Sequence, residues 1–198
     1  MKQEERRQQT IQLLLSTTKD LIREKGCDAV TMKDIMERSG LSKGAIFHYV
    51  NSKDQIYAWV LQESLEEVDQ RFQNRVKSSG KELDGPLLEL TKRFPFLDDP
   101  KDVVNQILVY LLSKTGRPEI EDVLKQFYDQ SVCLSRQWIK SGQDHGVIPA
   151  SVDMEKMGEL FVLISLGLRM RSFLPVEGSS FQVDDFAAFL KETLSPRS

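Results

Sequence analysis

The sequence predicts an all-α protein of about nine helices, and three observations carry that expectation. Apolar residues recur at three- and four-residue spacing through most of the chain, glycine and proline breaks cut it into segments of helical length, and no stretch keeps the alternation of a half-buried strand. The first helix carries Ile11, Leu14, Leu15, Thr18, Leu21 and Ile22 on one stripe and ends at Gly26. The second starts at Thr31, a good N-cap with Asp34 three residues on as an acidic relative of the capping box, and closes at Ser39-Gly40. Leu41 buries across the turn, and Ser42 caps a third helix only two residues after Gly40, which forces a sharp reversal. Ile35, Leu41, Ile46 and Val50 glue this pair to its neighbours, leaving a second member whose outward face is polar or small. That is the form of a helix built to enter a DNA groove.

A long helix follows from Ser52 or Lys53, with Leu61, Leu65, Val68, Phe72 and Val76 on its period until Ser78-Ser79-Gly80. The remaining helices are expected over Pro86 to Phe94, Lys101 to Leu112, Glu119 to Ser141, Asp153 to Phe173 and Val183 to Leu194, separated by turns rich in Gly and Pro. The first three helices make one domain, residues 1–52, and the rest a second, residues 53–198.

Composition narrows the class. The chain has 198 residues, 40% hydrophobic and 29% charged, which is ordinary for a soluble globular protein. The longest uncharged apolar run, Leu160 to Leu168, is far short of the roughly 20 residues that cross a bilayer. The charged N-terminus lacks the apolar segment of a secretion signal, so a cytoplasmic protein without membrane contact is expected. Cys27 and Cys133 are far apart with no C-x-x-C spacing and read as small buried hydrophobes. Net charge is −3, but residues 1–53 hold ten Lys and Arg against seven Asp and Glu, while the remainder holds seventeen against twenty-three. The positive end points toward phosphate and the negative end discourages nonspecific wrapping. An enzyme is not expected. There are only two histidines, no H-E-x-x-H or E-x-x-H motif and no glycine-rich phosphate loop, so no catalytic residue, metal or cofactor is assigned.

Over about Gln8 to Val60 the chain resembles the TetR family of bacterial transcriptional regulators. The resemblance rests on Gly26, Thr31, Asp34-Ile35, Gly40-Leu41-Ser42-Lys43-Gly44, Tyr49 and Ser52-Lys53, in order and spacing. Met36, Phe47 and Val50 stand where the family commonly has alanine, tyrosine and phenylalanine, and at Phe47 a hydroxyl that could hold a phosphate is missing. The resemblance implies base contacts from Lys43, Gly44, Ala45 and His48 and phosphate contacts from Thr31, Ser42, Tyr49 and Lys53. It also implies a homodimer on an inverted-repeat operator in double-stranded DNA, acting as a repressor released by a small hydrophobic effector.

For the effector, the middle helices offer Phe94, Phe96, Leu97, Val104, Ile107, Leu108, Leu111, Phe127, Tyr128 and Trp138, a set that would equally describe an ordinary core. For the dimer, the helix over Asp153 to Leu174 is apolar nearly all round, so one side is expected to face its own domain and the other a second copy, the alternative being a fully internal core helix. Val162, Leu163, Leu166, Met170 and Phe173, with Val183, Phe186 and Leu190 of the last helix, are the expected interface. A helix-turn-helix protein without effector control, serving chromosome organisation or protein interaction, shares every N-terminal feature and stands as the alternative.

Overall fold

In a computed structural model of the chain, described here for residues 2–79, 84–176 and 178–195, nine α-helices and one short 3-10 turn account for the regular structure, and no strand occurs among the described residues. The helices are α1 (Lys2–Ala29), α2 (Met32–Ser39), α3 (Lys43–Phe47), α4 (Lys53–Ser79), α5 (Asp84–Thr91), α6 (Val103–Leu112), α7 (Pro118–Asp144), α8 (Met154–Arg171) and α9 (Val183–Leu194); the 3-10 turn, Phe94–Phe96, lies between α5 and α6.

The element order agrees with the sequence reading. The main difference is the segment expected as one helix from Pro86 to Phe94, which is α5 followed by a separate 3-10 turn. α5 begins two residues before Pro86, because a proline is tolerated in a first turn whose N–H groups have no intrahelical partner. Gly80, part of the expected break after α4, lies outside the described residues.

By contacts the chain divides into two compact units, one of residues 1–64 with 101–124 and one of residues 65–100 with 125–198. The first is larger than the 1–52 segment read from the sequence, since it takes in the start of α4, all of α6 and the start of α7. Helices α4 and α7 each contribute residues to both units.

The first unit is built on α1, whose Leu14, Leu15, Thr18, Leu21 and Ile22 are buried as their spacing requires. Gly26 takes φ 77°, ψ 161° and breaks the helix where the sequence placed its end; a side chain with a Cβ is strained at that angle. α6 is apolar over most of its surface, and Val103, Val104, Ile107, Leu108, Tyr110 and Leu111 are all buried, with α6 packed on α1. Asp102 caps it, its carboxylate accepting from the amides of Val104 and Asn105 at 3.0 and 3.2 Å.

The second unit has its own core of Leu87, Leu97, Ile139, Ile148, Phe161, Leu168, Phe186, Leu190 and Leu194. The 3-10 turn lies against α9, where the Phe94 and Phe186 rings stack at 4.7 Å with an 8° tilt. Cys27 is buried, and burial pushes its thiol up to about 12, leaving it protonated and inert. Cys133, expected to be buried too, is exposed on α7. No helix among the described residues is long and apolar enough to cross a membrane.

Candidate nucleic-acid interface

The turn between α2 and α3 is fixed by short-range bonds. Thr31 and Asp34 form a reciprocal cap: the Thr31 hydroxyl accepts from the Asp34 amide at 3.2 Å, and the Asp34 carboxylate accepts from the Thr31 amide at 2.7 Å. The hydroxyl also donates to that carboxylate at 2.6 Å, and the Lys25 ammonium lies 2.6 Å away on α1. Lys25 first, and then the Thr31 hydroxyl and amide, hold the Asp34 carboxyl far below the usual carboxylate range. The Arg38 guanidinium adds a two-point clamp on Glu24 at 2.8 Å, again joining α2 to α1. At the other end Gly40 adopts φ 69° and its amide donates to the Met36 carbonyl.

The acid dependence of this cap has a definite sign. A carboxyl whose folded pKa is depressed stabilises the fold above its ordinary pKa and loses that contribution as pH falls through the folded value. Asp34→Asn is therefore expected to destabilise the protein at neutral pH, with the gap to the parent in urea melts narrowing as the solution is acidified. A gap that stays constant into acid would mean the charge of Asp34 plays no part.

α3 is held from below. Ser42 accepts from the Ala45 amide at 3.2 Å, Ile46 and Val50 are fully buried, and Leu41 is half-buried across the turn. What faces outward is Ser42, Lys43, Gly44, Phe47 and His48, with Ala45 and Tyr49 half-buried at the edges. The sequence-assigned base contacts Lys43, Gly44 and His48 thus share one exposed face. Phe47, absent from the expected contacts, shares it too: it is 39% exposed, and the Lys43 ammonium lies over its ring at 5.7 Å. Its place was legible in the spacing 43, 44, 47, 48, which runs along one side of a helix. His48 and Tyr49 meet edge to face at 4.9 Å and line a shallow groove with Gln3, Glu4, Arg7 and Trp59.

Among the residues expected on phosphate, Thr31 and Ser42 are exposed at helix caps, and the Thr31 hydroxyl hydrogen is already directed to Asp34. Lys53 lies elsewhere than expected. Its ammonium turns inward and donates to the carbonyls of Cys27, Asp28 and Val30 at 2.9, 3.1 and 2.7 Å, closing the segment that follows the Gly26 break. The Tyr57 hydroxyl donates to the same Cys27 carbonyl at 2.9 Å, and the Tyr110 ring faces the Lys53 ammonium at 5.0 Å. Burial, then the nearby Lys114, lowers the Lys53 pKa; Asp54 and Asp28 oppose the shift. A cation holding three carbonyls has no donor left to hold a phosphate.

The second unit contains a cavity of about 180 Å³. Of the ten residues expected at an effector pocket, Phe94, Leu97, Phe127 and Trp138 line it. Val104, Ile107, Leu108 and Leu111 do not, because α6 belongs to the core of the first unit. Phe96 is exposed, and Tyr128 donates to Glu159 at 2.7 Å; neither lines the cavity. The sequence reading missed Arg93, His145 and Arg169, which line it.

The expected dimer residues divide as well. Val162 on α8 and Phe186 and Leu190 on α9 are buried and line the same cavity; α9 has one apolar stripe, and the core of the unit takes it. Leu166, Met170 and Val183 are half-buried, while Leu163 and Phe173 are 51% and 38% exposed. Phe189, off the expected stripe, is exposed on α9.

Residues 14–60, the stretch holding the capped helix pair, match the model of bacterial regulatory proteins of the TetR family. The chain is 24% identical over 158 residues to YfiR of Bacillus subtilis (strain 168), an uncharacterised HTH-type transcriptional regulator, covering 78% of this chain and 76% of the relative. Its fold is that of a solved protein assigned to the TetR family from Syntrophomonas wolfei, with TM-score 0.70, 18% identity and coverage of 96% and 97% of the two chains. A transcriptional regulator from Saccharomonospora viridis, solved in complex with choline, superposes with TM-score 0.65 at 20% identity over 93% of this chain and 95% of that one. Taken with the capped α2–α3 pair and its exposed polar face, the match over residues 14–60 makes this segment a helix-turn-helix DNA-binding domain of the TetR type, in a chain similar over most of its length to transcriptional regulators.

Proposed function

We propose that the chain is a cytoplasmic homodimeric repressor that reads an inverted-repeat operator and leaves it when a small ligand enters the cavity of the second unit. The observation that carries the reading is the α3 face, where Lys43, Gly44 and His48 stand exposed over a fully buried Ile46. Lys43 is placed to donate to guanine O6 or N7, and Gly44 is small enough to let the backbone approach the groove floor. One short helix covers few base pairs, so specificity requires two copies with their reading helices roughly 34 to 36 Å apart. In this division residues 1–52 read DNA and residues 53–198 bind effector and dimerise. Phosphate contacts fall to Ser42 and Tyr49. Lys53 supports the site from beneath. The dimer surface is the outward side of α8 and α9, marked by Leu163, Met170 and Phe189. The choline held by the Saccharomonospora viridis regulator supports a ligand site in this fold.

Selection of bound fragments from genomic DNA, followed by gel shifts on the recovered sites, tests the reading. An inverted repeat bound by two copies is expected; a monomer indifferent to every duplex at low salt would end the proposal. Lys43→Ala is expected to cost about 1 to 3 kcal/mol on the recovered operator and to relax base choice at one position of each half-site. Equal losses on operator and random DNA would remove Lys43 from base reading.

A further inference from the structure

The cavity wall has a chemical sign. Most of it is aliphatic or aromatic, with Phe72, Phe94 and Trp138 among the rings, and such a lining alone would suit a quaternary ammonium as well as a hydrocarbon. Its charged members are Arg93 and Arg169, joined by His145, and no Asp or Glu lines it among the described residues. The neutral polar groups are largely committed to the protein. The Ser131 and Ser165 hydroxyls donate to the Phe127 and Phe161 carbonyls at 2.7 and 2.8 Å, and the Trp138 indole donates to Asp69 at 2.9 Å. The cationic side chains on the wall are the guanidiniums of Arg93 and Arg169. Arg169 has an interaction of its own, whereas Arg93 is steadied by the Phe96 ring at 5.0 Å, which makes Arg93 the principal anchor.

We propose that this cavity takes an amphiphilic carboxylate, with its apolar body among the rings and its carboxylate on Arg93, assisted by Arg169. A planar guanidinium suits the two oxygens of a carboxylate, and a largely apolar surrounding strengthens that pairing. A cationic ligand such as choline meets two like charges there, with no Asp or Glu on the wall among the described residues. The proposal rests on the reading of the cavity as the effector site and specifies which chemistry it admits.

Calorimetric titration of the full chain with octanoate, 1-octanol and octyltrimethylammonium separates the cases. Octanoate is expected to bind at least about tenfold more tightly than the ammonium compound, and Arg93→Gln to weaken octanoate about tenfold while leaving octanol unchanged. Retained octanol binding shows that the variant is folded. Equal or tighter binding of the ammonium compound, no binding of octanoate, or an Arg93→Gln variant with undiminished octanoate affinity would each overturn the assignment. Gel shifts with the same three compounds keep the two ideas apart. Octanoate that binds without releasing DNA supports the ligand class and sinks effector control; an ammonium compound that binds tightly and releases DNA does the reverse.

Discussion

Phe186→Ala is expected to lower the stability of the protein by about 3 to 5 kcal/mol, the usual cost of emptying a large aromatic site in a core. Phe186 is 1% exposed, stacks on Phe94 at 4.7 Å and meets Phe161 edge to face at 6.3 Å. Removing it enlarges a cavity already present beside it, so the neighbours have little means of collapsing onto the space. Thermal melts at several protein concentrations distinguish this from an interface role. A core residue shifts the midpoint equally at every concentration, whereas the shift from a dimer residue shrinks on dilution, as parent and variant both dissociate. Leu163→Ala, at a residue 51% exposed, is the counterpart: little change in protomer stability and a weaker dimer. A Phe186→Ala protein that melts like its parent but sediments as a monomer would restore the residue to the interface.

Lys53→Met is expected to cost about 2 kcal/mol of stability, because three carbonyls lose a charged donor while the replacement keeps the length of the side chain. DNA affinity should fall as a consequence, since α4 begins at Lys53 and the released carbonyls belong to the segment entering α2. The two losses should track each other on cooling, with binding recovering as the fold does. A variant with unchanged melting and uniformly weaker binding on all DNA would instead make Lys53 a phosphate contact.

These two residues also mark where a linear reading stops. The α2–α3 pair was legible because its determinants are local: Thr31 and Asp34 are three apart, Gly40 takes the positive φ that its position after Ser39 requires, and Ser42 caps the helix it precedes. The partners of Lys53 are 23 to 26 residues away in sequence, and nothing in the text Ser52-Lys53 announces them. On α8 the difficulty is different. With apolar residues on both sides, periodicity says that the helix is covered but not which side its own unit covers, and Val162 went inward while Leu163 stayed out. The effector residues on α6 were misplaced for a related reason, since Ile107 and Leu111 have the same side chains whether they line a ligand site or a closed core. Arg93 and Arg169 escaped notice because a lone arginine reads as solvated until the fold brings both to one wall.

Helices α4 and α7 each belong to both compact units, so neither unit can melt without fraying a backbone ladder that the other also uses. Heating should accordingly produce one cooperative calorimetric transition, and amides in the middle of both helices should be among the slowest in the chain to exchange with deuterium.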